Sequence, residues 1–222
     1  MLVVERMTKR PVTVTEDTSV SRALELMKRE NVRRFPVLNE EGKLVGIVLE
    51  KDLLYAAPSP ATTLSVFEIH TLLAKISVGD VMTREVITID EDTPLEEAAR
   101  IMADNNIGGL PVMKNDELVG IITETDIFKV FLEMLGGRDD GVRVSVQVPH
   151  KKGVLALIAG EIAGMGGNIV ALGTVHGDDP AHYHLTFKVA DVSEEQLVEA
   201  MEKLNLEVLD SRTCSWSECE AG

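Results

Sequence analysis

An internal duplication constrains this chain more than any other feature of its sequence. Residues 7–38 and 82–113 align without gaps at an offset of 75, and the identities include a Met-Thr pair and a Pro-Val pair. After a one-residue deletion the offset becomes 74, and the frame "GIVLEKD" ending in Asp52 recurs as "GIITETD" ending in Asp126. We therefore expect two like units that share a core.

Each copy is predicted to form a strand, a helix, two strands around a turn, and a second helix. In the first copy "PVTVTEDT" alternates as a strand, and Thr18 or Ser19 then caps a helix with apolar residues at helical spacing. Two β-rich runs enclose a Glu-Gly turn in "FPVLNEEGKLVGIVL". Met27 and Met102 occupy equivalent helix positions among apolar neighbours, which is typical of core residues.

A third unit follows the stretch "LGGRDDG" at 135–141. Its pattern predicts the order β-α-β-β-α-β of a ferredoxin-like domain, with Ser193 capping the second helix. The predicted fold class is mixed α+β and α/β: a pair with pseudo-twofold symmetry, followed by a small ferredoxin-like domain. The predicted boundaries are 1–58 and 76–136 for the repeats, 59–75 for a linker with a helix, 137–141 for a hinge, 142–211 for the third domain and 212–222 for a flexible tail.

Composition and charge exclude several classes of partner. The net charge of −15 would repel a phosphate backbone, so nucleic acid is not an expected partner. No apolar run reaches the roughly 20 residues of a membrane span, and "MLVVERMTKR" is too short and too charged for a secretory signal. A cytoplasmic location without membrane contact is therefore expected. Cys214 and Cys219 are interpreted as a reduced pair on the tail.

The doubled pattern "MT…T…DT…A…M…N…PV…GI…D" resembles a pair of CBS motifs, the regulatory Bateman module. The third unit, with "GVLA" and "GGNI", resembles an ACT domain. The order of the three units, together with "TTLSVFEIHTLLAK" in the linker, is similar to acetoin-utilisation proteins of the AcuB type. The resemblance implies a non-catalytic regulatory protein that binds an adenosine ligand, such as AMP, ADP, ATP or S-adenosylmethionine, and requires no cofactor.

The CBS resemblance places the ligand in a cleft between the motifs. A carboxylate there can accept hydrogen bonds from both ribose hydroxyls, a Thr hydroxyl can donate to phosphate, and Arg33 and Arg34 can place guanidinium groups against it. The residues implied for this cleft are Ile121, Thr123, Thr125 and Asp126 from one copy, and Val12, Thr18, Val32, Arg33, Arg34 and Pro36 from the other.

A second, mirrored cleft departs from this pattern. Leu49 and Lys51 replace the threonines, and glycines stand opposite instead of arginines, so weaker binding or a less phosphorylated ligand is expected. The residues implied for the second cleft are Lys51, Asp52, Thr93, Gly109 and Pro111. A simpler alternative for Asp52 and Asp126 is that each caps a helix N-terminus, a role that can coexist with binding.

The third unit also departs from its family. Amino-acid-binding ACT domains usually carry an acidic residue and a proline before the first glycine, whereas "PHKKGVL" has His150 and Lys152 at those places. Gly153, Asn168 and Ile169 remain as a candidate ligand loop. The domain could bind an amino acid, prefer an anion, or only dimerise.

The histidines allow two interpretations. His182 and His184 alternate on one strand face, and His176 could face the same way across the hairpin, so a metal site is conceivable. A polar outer face is the simpler interpretation, because no fourth ligand is evident, and we predict no metal. His70, among apolar neighbours in the linker, is interpreted as a packed histidine.

Three functions follow from these observations. The first is a regulatory protein that senses an adenosine nucleotide and signals to an unidentified target protein, with acetoin or acetate metabolism implied by the AcuB resemblance. The second is a small enzyme that acts on a nucleotide in the cleft, although no nucleophile elbow, Walker loop or dinucleotide fingerprint is present. The third is a ligand-free scaffold. A homodimer or higher homo-oligomer is expected, because sheet edges commonly pair with another copy.

Overall fold

The computed structural model describes residues 1–56, 75–177 and 179–215. The linker helix predicted for 59–75 falls, apart from Lys75, outside these residues, as do His70 and Cys219. Contacts divide the chain into two units, Met1–Ile127 and Phe128–Gly222. Among the described residues, no helix has the length and apolar character needed to cross a membrane.

The first unit contains both repeats. Its helices are a 3-10 turn at Val3–Glu5, α1 Val20–Glu30, α2 Glu50–Tyr55, α3 Val78–Val81, α4 Leu95–Asn105 and the start of α5 Glu124–Met134. Its strands are β1 Thr8–Lys9, β2 Val14–Thr15, β3 Arg34–Leu38, β4 Leu44–Leu49, β5 Ile89–Asp90, β6 Gly109–Lys114 and β7 Glu117–Thr123. They form two sheets with the strand orders β2-β3-β4 and β1-β7-β6-β5.

The two repeats are joined by matched hydrogen bonds, which give the first unit pseudo-twofold symmetry. The amide of Val3 donates to the carbonyl of Thr93 at 2.9 Å, and the amide of Val78 donates to the carbonyl of Thr18 at 2.8 Å. In the same way, Thr8 of β1 pairs with β7 of the other repeat, and Thr83 forms a bridge with Ile47 of β4.

Packing of a methionine sulfur against a glycine explains why Met recurs in the repeated Met-Thr pair and Gly recurs in the repeated Gly-Ile pair. A Cβ added to Gly46 would collide with the Met82 sulfur, and one added to Gly120 would collide with the Met7 sulfur. Both methionines are buried at 9% exposure. Each glycine thus accommodates the methionine of the opposite repeat, so these identities record one packing contact made twice.

The equivalent helices α1 and α4 begin differently and end alike. Ser19 caps α1 by accepting from the amide of Arg22 at 3.3 Å, whereas Pro94 precedes α4 and offers no side-chain acceptor. Both helices end at a left-handed asparagine, Asn31 or Asn106. Asn tolerates this conformation better than most residues, which suits it to a helix terminus.

The second unit has the predicted order β-α-β-β-α-β. Its elements are β8 Gly141–Pro149, α6 Val154–Gly164, β9 Asn168–His176, β10 His182–Ala190, α7 Glu194–Lys203 and β11 Glu207–Cys214. The sheet order is β11-β8-β10-β9, and every neighbouring pair is antiparallel. Alternate valines of β8 pack with residues of both helices in one core.

Ser193 caps α7 as predicted. Its hydroxyl accepts from the amide of Gln196 at 3.2 Å, and the Gln196 side chain accepts from the amide of Ser193 at 3.0 Å. Some boundaries differ from the prediction. Strand β11 reaches Cys214, so residues 212–214 are not part of a flexible tail, and the two units divide inside α5 rather than at 137–141.

Candidate functional site

A cavity of about 270 Å³ lies in the first unit between the two repeats. We call it the Asp52 cleft. It is lined by Arg34, Ile47, Leu49, Lys51 and Asp52 from the first repeat, and by Thr83, Glu85, Val86, Ile87, Asn106, Ile107, Gly108, Gly109 and Pro111 from the second. The predicted second-cleft residues other than Thr93 therefore come together here.

Asp52 is held at the start of α2, where strand β4 ends. It is the third residue of the helix, and its Oδ2 accepts from the amide of Leu49 at 3.1 Å. This contact is the carboxylate half of a capping box. Asp52 therefore caps the helix from its third position, and Leu49, the residue that precedes the helix, provides no side-chain cap.

Asp126 makes the corresponding contacts at the start of α5. Its Oδ2 accepts from the amide of Thr123 at 3.0 Å and from the Thr123 hydroxyl at 2.7 Å. A hydroxyl has a single hydrogen to donate. Thr123 therefore cannot also donate to a phosphate while it keeps this bond, so the phosphate role expected for it requires the hydroxyl to turn away from Asp126.

The pseudo-twofold maps the lining of the Asp52 cleft onto the surroundings of Asp126. We call this second region the Asp126 cleft. The mapped residues are Ile121, Thr123, Thr125 and Asp126, together with Thr8, Arg10, Pro11, Val12, Asn31, Val32, Arg33, Arg34, Pro36 and Gly109. Apart from Thr18, the residues that the sequence implied for this cleft are symmetry equivalents of residues in the Asp52 cleft, and their assembly into a second binding site stays a prediction.

Thr18 and Thr93 lie away from both clefts. Thr15 pairs with Leu38 at the far end of β3, and its amide donates to the Thr18 hydroxyl at 3.2 Å. Leu38 is four residues from Arg34, or about 13 Å along the strand. The symmetry places Thr93 likewise, so the structure does not bring either threonine to the ligand position that the sequence implied.

Arg34 departs from its expected position. The family resemblance assigned it to the Asp126 cleft, yet it pairs with Leu49 of β4 and lines the Asp52 cleft. Position 109 of the other repeat, equivalent to Arg34, is glycine, and a Cβ there would collide with the Nη1 of Arg34. A Cβ on Gly108 would lie 2.9 Å from both Nη2 of Arg34 and Oε2 of Glu124. The glycines therefore provide the space that the guanidinium group occupies.

The electrostatic surroundings of Arg34 include both clefts. Burial lowers the pKa of Arg34 below its ordinary value, the carboxylates of Glu124 and Asp126 raise it, and neighbouring Arg33 lowers it. The half-buried guanidinium group thus lies between the cavity of Asp52 and the carboxylates beside the Asp126 cleft.

The sequence interpretation missed a charge reversal. Glu85 lines the Asp52 cleft, and its equivalent in the Asp126 cleft is Arg10, whose backbone is left-handed at φ 50°. The gap-free alignment of "MTKRP" with "MTREV" contained this signal. Arg10 and Arg33 are the sequence equivalents of Glu85 and Gly108, so the pseudo-twofold predicts two cations in the Asp126 cleft.

The candidate loop of the second unit does not form one site within the chain. His150 and the nearby Lys152 and Gly153 lie at one end of the sheet, because His182 pairs with Pro149. Asn168, followed by Ile169, pairs with Ala190 at the other end of β10. The two ends are separated by about 26 Å at the usual rise per strand residue.

The histidines lie on two faces of the sheet. His176 pairs with Tyr183, and their ring centroids are 5.6 Å apart, whereas His182 and His184 alternate with Tyr183 and point to the other face. His176 therefore does not lie on the face of His182 and His184, which the alternative of a shared metal site would require. His182 Nδ1 lies 2.8 Å from Asp179 Oδ2, and no group of three metal-ligating side chains occurs among the described residues.

Comparison with known proteins identifies the first unit. The family model of the CBS domain matches residues 3–59 and 78–133, so the chain belongs to the CBS domain family. A CBS domain-containing protein of Dictyostelium discoideum is 32% identical over 136 residues, which are 61% of this chain and 94% of that protein.

Two solved structures are similar to the same part of the chain. The CBS domain pair of protein MJ0100, in complex with 5′-methylthioadenosine and S-adenosyl-L-methionine, is 31% identical with a TM-score of 0.50 and covers 63% of this chain and 98% of that one. A Vibrio cholerae protein assigned to acetoin utilization, AcuB, is 31% identical with a TM-score of 0.51, covering 61% and 93% respectively.

Proposed function

We propose that this chain is a non-catalytic regulatory protein that binds adenosine derivatives in the two clefts of its CBS pair. The observation that carries the proposal is the Asp52 cleft, a cavity lined by both repeats with a carboxylate at a helix start and a guanidinium group in its wall. The adenosine ligands of the MJ0100 pair support this ligand class.

The chemistry of the clefts assigns a role to each part of an adenosine ligand. Asp52 and Asp126 keep acceptor capacity beyond their capping bonds and can accept from ribose hydroxyls. Val12 and Ile87 occupy equivalent positions and are exposed at 37% and 40%, so they offer apolar contact to an adenine ring. Arg10 and Arg33 fit a phosphate in the Asp126 cleft.

Calorimetric titration tests this function. Adenosine, AMP, ADP, ATP, 5′-methylthioadenosine and S-adenosylmethionine would be compared at one ionic strength, with guanosine monophosphate as the control for the base. We expect saturable binding of at least one adenosine ligand and weaker binding of the guanosine nucleotide. If none of the six compounds binds, the proposal fails and the scaffold alternative stands.

The absence of catalysis is part of the proposal and has its own test. Incubation of the protein with ATP, followed by chromatographic separation of nucleotides, should return ATP without protein-dependent AMP or ADP. Product that scales with protein concentration and disappears in Asp126→Ala would establish the rival function, a small enzyme that uses this cleft.

The second unit is proposed to be an ACT-type domain that dimerises and connects the ligand signal to a target protein. Its element order supports this, and β9 is an edge strand that exposes 67% of Val175. Light scattering at micromolar concentration should give at least twice the 24.2 kDa of the chain. A monomer mass would contradict dimerisation.

A role in acetoin or acetate metabolism is proposed from the similarity to AcuB. A fold shared with another protein does not establish its pathway, so the target must be found directly. Affinity capture with and without the bound nucleotide should return an enzyme or regulator of that metabolism. Specific, nucleotide-dependent capture of an unrelated protein would contradict the assignment.

A further inference from the structure

We propose that Arg34 is a shared specificity residue that moves between the two clefts and couples their occupancy by anionic ligands. This inference rests on the proposed function, because it concerns the same clefts. Arg34 lines the Asp52 cleft, and the pseudo-twofold also assigns position 34 to the Asp126 cleft, because the equivalent Gly109 lines the Asp52 cleft. One positive charge is therefore available to two ligand positions.

The space that holds the guanidinium group is specific to one repeat. Gly109 has an ordinary backbone conformation, and Nη1 and Cζ of Arg34 occupy the region that a Cβ would need. The obstacle to any larger residue at 109 is thus the end of a flexible side chain together with the Ile122 carbonyl, 3.1 Å from the Cβ position. A methyl group at 109 should push Arg34 out of the Asp52 cleft.

Acidic groups lie near the guanidinium group of Arg34 and could also hold it after displacement: a Cβ on Gly108 would lie 2.9 Å from both Nη2 of Arg34 and Oε2 of Glu124. Glu124 and Asp126 both interact electrostatically with its guanidinium group. An anionic ligand in the Asp52 cleft would stabilise the guanidinium group of Arg34 in its observed position. An anionic ligand in the Asp126 cleft would favour a position of this group turned toward that cleft. A ligand shifts such an equilibrium only by its different affinities for the two positions, and the coupling between the sites is reciprocal.

This arrangement predicts negative coupling that depends on ligand charge. When AMP fills one cleft and holds Arg34, the second cleft should bind AMP more weakly. Adenosine lacks the phosphate and should bind to both clefts without this coupling. A charge-assisted hydrogen bond is worth about tenfold or more in affinity. The ratio between the two AMP dissociation constants should therefore exceed the ratio between the two adenosine dissociation constants by about that factor.

Variants that retain one cleft measure the effect separately. Asp126→Ala keeps every lining residue of the Asp52 cleft, and Asp52→Ala keeps every residue assigned to the Asp126 cleft. Because Asp126 also interacts electrostatically with Arg34, each Gly109→Ala effect is measured relative to the corresponding single Asp variant. Gly109→Ala, added to each, should weaken AMP binding in the Asp52 cleft and strengthen it in the Asp126 cleft. Gly160→Ala is the matched control, because a Cβ at Gly160 in the second unit meets nothing within 4 Å.

The decisive experiment is calorimetric titration of AMP and adenosine into five variants. These are Gly109→Ala combined with Asp126→Ala or with Asp52→Ala, Gly160→Ala combined with each of the same two Asp variants, and Arg34→Gln. With Gly109→Ala we expect the ratio of AMP affinity to adenosine affinity to fall in the Asp52 cleft and to rise in the Asp126 cleft. The ratio is the readout because Gly109 lines the Asp52 cleft, so the added methyl group can itself contact either ligand. Arg34→Gln should abolish the AMP coupling. Shifts of equal sign in both clefts, or coupling that survives in Arg34→Gln, would overturn the inference although adenosine ligands bind. If neither AMP nor adenosine binds to the unmodified protein, the proposed function itself fails. Circular dichroism melting of each variant separates these results from misfolding.

Discussion

The two clefts share a backbone framework and differ in the side chains placed on it. In both, the third residue of a helix accepts a hydrogen bond from the amide of the last strand residue, at 3.1 Å for Asp52 and 3.0 Å for Asp126. Around this framework, equivalent positions of the two repeats carry different side chains. Position 85 is Glu where the first repeat has Arg10, and position 109 is Gly where the first repeat has Arg34. In the proposed function, the backbone contacts define where a ligand lies and the differing charges define which ligand is preferred.

Core truncation should have the largest effect and should be similar in the two repeats. Phe35 and Leu110 occupy equivalent positions and are both fully buried. Replacement by Ala should lower the free energy of unfolding by about 3–5 kcal/mol for Phe35 and about 2–5 kcal/mol for Leu110. Urea denaturation measures both values, and a loss below 1 kcal/mol in either repeat would show that its core is not packed as described.

The methionine–glycine contacts should respond equally on the two sides. Gly46→Ala and Gly120→Ala each force a buried methionine to move, and overpacking of this kind costs about 1–3 kcal/mol. The loss in unfolding free energy should be the same within error for both variants. A difference of more than about 1 kcal/mol would mean that the repeats have diverged in packing as well as in charge.

Helix capping provides a smaller and asymmetric effect. Ser19→Ala removes the acceptor for the amide of Arg22 and should cost about 1 kcal/mol. The equivalent helix of the second repeat has no side-chain cap, so Pro94→Ser tests whether that position can gain one. Thermal melting should show a loss for Ser19→Ala. An unchanged melting temperature would show that the Ser19 contact contributes nothing to stability.

Much of this arrangement could be predicted from the sequence because it depends on short-range patterns. The duplication located the two Asp frames, and "SEEQ" identified the cap at Ser193. The pairing of each Asp frame with the other repeat followed from the family resemblance. These features are set by residue types at fixed spacings.

The remaining features depend on contacts that a linear pattern does not contain. The direction of Arg34 is decided by the space over Gly109, in the other repeat. Thr18 was misplaced because its position follows from the register of Thr15 with Leu38. The sequence left the face of His176 open, because the cross-strand pairing of β9 with β10 sets its partner, and that register is a property of the folded hairpin.

The most direct test of the account compares AMP with adenosine in each one-cleft variant by calorimetry. The account predicts that Asp126→Ala lowers total AMP affinity by at least about tenfold, that Asp52→Ala lowers it less, and that the preference for AMP over adenosine is stronger in the Asp126 cleft. Equal losses in the two variants, or equal AMP preference in the two clefts, would contradict the assignment of the phosphate to the Asp126 cleft. If both variants lose about 1 kcal/mol in the free energy of unfolding and bind nucleotide as the unmodified protein does, then Asp52 and Asp126 only cap their helices.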